Sequence, residues 1–304
     1  MHLEIINSIL IFNRGVKKLA IKPCKILILI FIWTLIFHCN IGFSQCIDFK
    51  THGTLVVGVI CDNGIVLSSD SRASFTCDCP ESSTTYAYTD SNRKIFPLGK
   101  FQIAVTGNSS IKNEYWEELI IQYNKHNKND SILHSIFHNF KIFVQKKLAL
   151  TDSIFFSGTR FYLAGYENKN PKIIMFYENG VDSITKVGNR YYSLNEFKPY
   201  YNSKGVSLQN YDVEVISKLL IGSYKDYAKI DKTVGGPTNI ISIAEDNSSS
   251  QLSTFNFIKF KKEIDLLKSI KKGYRKVYFD TPKAEQFFQK MIDFILKYPK
   301  IIKR

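Results

Sequence analysis

Apolar and polar positions along this chain keep two periods, and the points where one gives way to the other mark its elements. Leu55 to Ile60 is almost wholly apolar, and the turn Asp62-Asn63-Gly64 sends it back through Ile65 to Ser69. That pattern predicts a buried hairpin with strands over residues 54–61 and 65–69. The stretch from Phe75 to Thr89 is polar and holds Pro80, so it reads as a loop. Short strands are expected over 93–97 and 101–106, the second ended by Gly107-Asn108. The period then becomes helical over 111–124, where Tyr115, Trp116, Leu119, Ile120 and Tyr123 share one face. It stays helical where Ile132, Ile136, Phe140, Phe143 and Val144 line up behind a cap at Asp130 or Ser131. Strands return over 160–166, 172–177 and 184–188, followed by a helix over 212–227, a strand over 238–244 and an amphipathic helix over 285–297. With no internal repeat and no long linker, this order predicts one α+β body with helical layers outside packed sheets.

The two ends lie outside that body. Lys17, Lys18, Lys22 and Lys25 precede an unbroken apolar run from Ile26 to Phe37, which Asn40-Ile41-Gly42-Phe43-Ser44 follows. A positive region, an apolar core and a small-residue zone in that order read as a secretory signal, with residues 1–44 as leader. A bilayer span needs roughly 20 apolar residues, so export to a periplasm or the outside is expected, with anchoring by the same segment as the alternative. Export implies an oxidising compartment, where the pairing of Cys46, Cys61, Cys77 and Cys79 is left open by the sequence. Cys77-x-Cys79 is too tightly spaced for a zinc knuckle, and no second pair follows it. His134 and His138 share a helix face without the glutamate a zinc-hydrolase helix carries, so they read as packing or surface residues and no metal is expected.

Composition adds one asymmetry. The 304 residues carry a formal net charge of +14, and Lys259 to Arg304 holds 14 basic against 5 acidic side chains, +9 of that total. A basic excess suits nucleic acid or an anionic membrane. No nucleic-acid-binding signature accompanies the lysines, so nucleic acid is not expected as a partner and a solvated helix face is. Membrane contact is expected only through the leader or the basic tail.

The candidate chemistry lies in three pieces. Gly53-Thr54 stands before the first strand, with Asp70 and Arg72 after the second. Arg93-Lys94-Ile95-Phe96 carries a lysine into a strand, and Ala104-Val105-Thr106-Gly107-Asn108 ends the next one. Gly-Thr, an apolar strand, a DNG turn, "IVLSSDSRAS" and "NRKIFPL" resemble a proteasome β-type subunit of the N-terminal-nucleophile hydrolase superfamily. "FYLAGYENKNPKIIMFYENG" and "DKTVGGPTNIISI" resemble later segments of the same family, so the likeness runs from Thr54 to Asp246.

The resemblance implies a four-layer αββα sandwich over residues 54–250, a propeptide over 45–53 and a basic C-terminal helical extension over 251–304. It also implies a threonine-type peptidase or amidase that frees Thr54 by cutting at Gly53-Thr54, with a peptide or protein as substrate and no cofactor. It leaves room for a homo-oligomeric ring. In that scheme the freed α-amine of Thr54 takes the proton of its own hydroxyl. Lys94 lowers the amine's pKa, and Asp70 holds Lys94. A backbone N–H near Ala104 serves the tetrahedral oxyanion, and Asp231 is the acidic member of the later segment.

The sequence departs from the family's pattern at several points. Ala104 and Val105 stand where a glycine is usual, and Val234 stands where a serine supports the amine. The interval from Asp70 to Lys94 is longer, and an exported leader is unexpected. Two other readings therefore stand beside the enzyme: a non-catalytic proteasome-like scaffold or binding protein, and a surface-binding protein that uses its basic extension. Substrate specificity is not legible.

Overall fold

The computed structural model describes residues 49–53, 55–77, 87–90, 92–126, 130–193, 197, 212–252, 262–279 and 282–297. The chain divides into Met1–Ile47 and Asp48–Arg304, and every described residue falls in the second unit. The leader, its apolar run, Cys46, Cys79 and Thr54 itself lie outside the described residues. No helix among the described residues is long and apolar enough to cross a membrane.

The mixed helix-and-sheet expectation holds at the level of elements. Strands β1 (Phe49–Gly53), β2 (Val56–Cys61), β3 (Gly64–Ser69), β4 (Ala73–Cys77), β5 (Ala87–Thr89), β6 (Ile95–Leu98) and β7 (Phe101–Asn108) come first. A two-stranded ribbon, β8 (Ser110–Ile111) and β9 (Glu114–Tyr115), leads to helices α1 (Trp116–Asn124), α2 (Leu133–Leu148) and α3 (Asp152–Phe156). Then come β10 (Thr159–Glu167), β11 (Asn170–Tyr177), β12 (Gly180–Ile184), β13 (Arg190–Tyr192), α4 (Val213–Tyr227), β14 (Asn239–Ile243) and β15 (Ser249–Gln251). The C-terminal extension supplies α5 (Glu263–Lys271), β16 (Tyr278–Phe279) and α6 (Pro282–Lys297).

Two antiparallel sheets carry the site. One runs β12-β11-β10-β7-β1-β4-β5-β16 with β6 also on β7, and the other runs β13-β2-β3-β14-β15. Strand alternation divides the apolar side chains between faces. On β7, Phe101, Ile103 and Val105 join Trp116, Leu119, Ile136 and Phe140 of α1 and α2, whereas Ala104 turns the other way. On β2, Val57, Val59 and Cys61 meet Ile216, Leu220 and Tyr224 of α4, whereas Val56 and Ile60 pack with Ile95, Ala104 and Tyr162 of the first sheet. A fourth cluster joins Phe75 and Ala87 of β4 and β5 to Leu266, Leu267, Phe288, Ile292 and Ile295 of the extension.

Several expectations are corrected. Residues 75–89 contain the end of β4 and all of β5, because backbone pairing of β4 to β1 and of β5 to β4 holds segments whose side chains give no strand signal. The first helix begins at Trp116, after the ribbon has used Ser110 to Tyr115. The strand placed over 184–188 lies at Gly180–Ile184, where the tight turn after Tyr177 sets the register against β11. The N-cap of the second helix is Ile132, and its Leu133 N–H donates to the Glu167 carboxylate; Asp130 instead accepts hydrogen bonds from Ser135 and Asn139. Cys61 is a free, buried thiol, its pKa pushed up to about 12 by burial.

Candidate active site

The hairpin β2–β3 ends in the polar run Ser68-Ser69-Asp70-Ser71, all of it buried. Asp70 sits just past the last ladder pair, Val56↔Ser69, so its side chain is released from the sheet while its backbone stays tied to Leu55. Its Oδ1 accepts the Leu55 N–H at 3.0 Å and the Lys94 ammonium at 2.5 Å. Its Oδ2 accepts the N–H of Arg72 at 3.1 Å and of Gly235 at 3.2 Å. Asp70 is 1% and Lys94 5% exposed, so this ion pair is sealed from water.

Lys94 is delivered by the approach to β6. Its carbonyl accepts the Val105 N–H at 2.9 Å, one step before the β6–β7 ladder begins at Ile95↔Ala104. Burial pushes its pKa below the ordinary lysine value. Attraction and hydrogen bonding from Asp70, with a smaller contribution from Asp90, oppose that shift, and Arg72 adds to it. Desolvation disfavours the charged form of an amine and a near carboxylate favours it, so burial and Asp70 act on Lys94 in opposite directions.

The chain reaches this pair from β1. Gly53 pairs with Ala73 on one side and with Gly107 on the other. β1 and the Lys94 end of β6 thus lie along the same edge of β7, opposite Gly107 and Val105 respectively. After Gly53 the chain leaves the first sheet, and by Leu55 it is bound to Asp70 and entering the second. In sequence, the Gly53-Thr54 bond falls between a backbone paired to β4 and β7 at Gly53 and an N–H held by Asp70 at Leu55.

Two glycines are required by space. Gly107 has φ +84°, and a Cβ there would stand 1.9 Å from the Gly158 carbonyl oxygen. A Cβ on Gly235 would meet the Arg72 guanidinium carbon at 2.5 Å. Arg72 needs that room, because it is clamped to Asp90 at 2.9 Å, bonded to the Lys232 carbonyl at 2.8 Å and laid over the Tyr88 ring at 3.8 Å. A cavity opens beside the pair, lined by Lys94, Phe96, Val105, Gly107, Tyr115 and Trp116 among others.

Of the residues named from sequence, the structure brings together Asp70 and Lys94 and sets Gly53 next to their strands. It does not bring Ala104. That residue is fully buried between the sheets and paired with Ile95 and Tyr162, three positions short of the residue facing Gly53. Gly107 occupies the facing position, and its signal in the sequence was a glycine closing an apolar strand. Asp231 accepts from the N–H and hydroxyl of Thr233, shaping the turn that aims the Gly235 N–H at Asp70. Val234 is buried in the apolar cluster under α4. Among the described residues, no group of three or more His, Cys, Asp or Glu side chains could hold a metal ion.

No protein-family model matches the chain, and a search of curated proteins returns no match. Among solved structures the chain is similar to an Anbu (Gly-1) mutant from Hyphomicrobium sp. strain MC1, with TM-score 0.46 and 13% identity over 73% of this chain and 97% of that one. It is similar to Anbu from the same strain at TM-score 0.43 and 13% identity, over 78% and 97% of the two chains. It is likewise similar to Anbu (ancestral beta-subunit) from Yersinia bercovieri, with TM-score 0.46 and 13% identity over 73% and 93%.

Proposed function

We propose that this chain is an exported, proteasome-like N-terminal-nucleophile hydrolase that cuts itself between Gly53 and Thr54 and then hydrolyses peptide or amide bonds with Thr54. The observation that carries the reading is the double use of one carboxylate oxygen. Asp70 Oδ1 holds the N–H of the residue after Thr54 and the ammonium of Lys94 together. The fold reading is the four-layer αββα sandwich, supported by the apolar clusters on both sides of each main sheet.

In self-cleavage the Thr54 hydroxyl adds to the Gly53 carbonyl carbon, and the Thr54 nitrogen leaves as an amine that takes up the proton. Water then hydrolyses the ester, leaving Gly53 with a carboxylate and Thr54 with a free α-amine. That amine has an ordinary pKa of about 8, and a neighbouring ammonium lowers it toward neutrality, so it can serve as the general base of later turnovers. Lys94 supplies the ammonium and Asp70 keeps it in place. Backbone N–H groups at the turn around Gly107 are the nearest candidates for the oxyanion, because Gly107 faces Gly53. Donors of this kind typically contribute about 3–4 kcal/mol to such a transition state.

β1 supports the substrate class. The segment just before the scissile bond lies as an antiparallel strand between β4 and β7. Its departure leaves two strand edges facing one slot, the geometry that accepts an extended peptide by strand addition. The cavity beside Gly107 and Val105 would take the side chain preceding the bond that is cut.

A peptide epoxyketone, which captures both the hydroxyl and the amine of an N-terminal threonine, tests the reading. Labelling at Thr54 that is lost in Lys94→Ala is expected. Labelling that survives in Lys94→Ala, or a wild-type protein that is never labelled, would count against it. Val234, apolar where the family places a serine, favours the non-catalytic scaffold as the second reading, and a folded, unlabelled wild type would select it.

A further inference from the structure

The basic C-terminal extension lies outside the family-like segment, yet it reaches the site. Arg275 is 4% exposed and points into the first sheet. Its Nε donates to the Thr89 hydroxyl at 2.8 Å, and one terminal nitrogen donates to the Asp90 carbonyl at 2.8 Å and to the Asn92 side-chain oxygen. Thr89 answers by donating to the Lys276 carbonyl at 3.0 Å. The residues so held are those from which Lys94 is launched. The Asn92 N–H is bonded to the carbonyl of Ser71, the neighbour of Asp70, and the Asp90 carboxylate carries Arg72.

A second arm runs alongside. Tyr278 pairs with Tyr88 and stacks on it at 5.1 Å, and Arg72 lies over Tyr88 at 3.8 Å. These three bonds of Arg275 go to oxygens of Thr89, Asp90 and Asn92. What the planar fork adds is fixed geometry over three nearby residues.

We propose that Arg275 is a positioning residue for the Asp70–Lys94 pair, so that the extension is a working part of the site rather than a solvated tail. The proposal rests on the reading of Lys94 as a functional group. Its test therefore reads Lys94 directly as well as cleavage.

The full chain is labelled with 13C at lysine Cε, and the Lys94 resonance is assigned by its loss in Lys94→Met. Its titration is then followed in wild type, Arg275→Ala, Arg275→Lys and Lys271→Ala. Loosening residues 89–92 admits water to an amine whose pKa burial holds down. The Lys94 midpoint is expected to rise by roughly half a pH unit or more in Arg275→Ala, since hydration restores the charged form. Arg275→Lys, which keeps the charge and loses the fork, is expected to lie between. Lys271→Ala breaks only an exposed pair with Asp293 at 2.7 Å, and should match wild type. An unchanged Lys94 midpoint in folded Arg275→Ala overturns the proposal. If that variant does not fold, an unchanged midpoint in Arg275→Lys does so. Self-cleavage is timed in the same samples, with a loss of about tenfold or more expected in Arg275→Ala, because small misplacements of catalytic groups are costly. A wild type that never cuts while its Lys94 midpoint still depends on Arg275 refutes the proposed function and leaves this assignment standing.

Discussion

Among the described residues both carboxylate oxygens of Asp70 are in use: Oδ1 accepts from Leu55 N–H and Lys94, and Oδ2 from the N–H groups of Arg72 and Gly235. Removing one partner of such a buried pair leaves the other uncompensated, which typically costs about 3–5 kcal/mol. Asp70→Asn is expected to lose stability in that range by urea unfolding, and Asp70→Asn with Lys94→Met to recover part of it. The pH dependence follows from the lowered Lys94 pKa. In the folded chain Lys94 gives up its proton at a pH where the unfolded lysine, near 10.4, still holds it. Between those two values unfolding takes up a proton, so the contribution of this group to stability rises with pH. Denaturant midpoints measured upward from pH 8 should show that rise in wild type relative to Lys94→Met; parallel curves would contradict it. Asp70 and Lys94 were legible in the sequence because they stand in order within "IVLSSDSRAS" and "NRKIFPL", the segments that carry the family resemblance. The oxyanion position was not. Ala104 and Gly107 lie on one strand, and only the register of β1 against β7 says which of them faces Gly53.

At the scale of elements, the hairpin β2–β3 was readable as two apolar runs joined by a turn, both strands being buried on both faces, and the helices α2 and α4 from period, since each buries one regular face. β1, β4 and β5 were not. Their side-chain patterns are broken by polar residues, and what makes them strands is pairing with partners distant in sequence. Gly107 has a role here that composition hides, because it lets β7 pass the Gly158 carbonyl with a positive φ. Gly107→Ala is expected to destabilise by about 2 kcal/mol or more, through left-handed strain and the clash together, and to slow any cut after Gly53. The extension has two faces. Its lysines do face solvent, as read, while the opposite face is core: Phe288 is 1% exposed and packs on Phe75 at 5.2 Å and Phe279 at 5.5 Å. Phe288→Ala should lower stability by about 3–5 kcal/mol, the range for a buried phenylalanine; a cost near zero would show a tail that is not part of the core.

For the whole molecule, the chain crosses from the first sheet to the second between β1 and β2. The α+β order of elements could be read from the sequence, whereas the depth at which the extension is built into the first sheet could not, because β16 is only a two-residue strand. Self-cleavage at this crossing is read out by N-terminal sequencing of the purified protein, in wild type and in Thr54→Ala. Wild type is expected to begin at Thr54, and Thr54→Ala to keep the residues before it. The same upstream N-terminus in both proteins would contradict it.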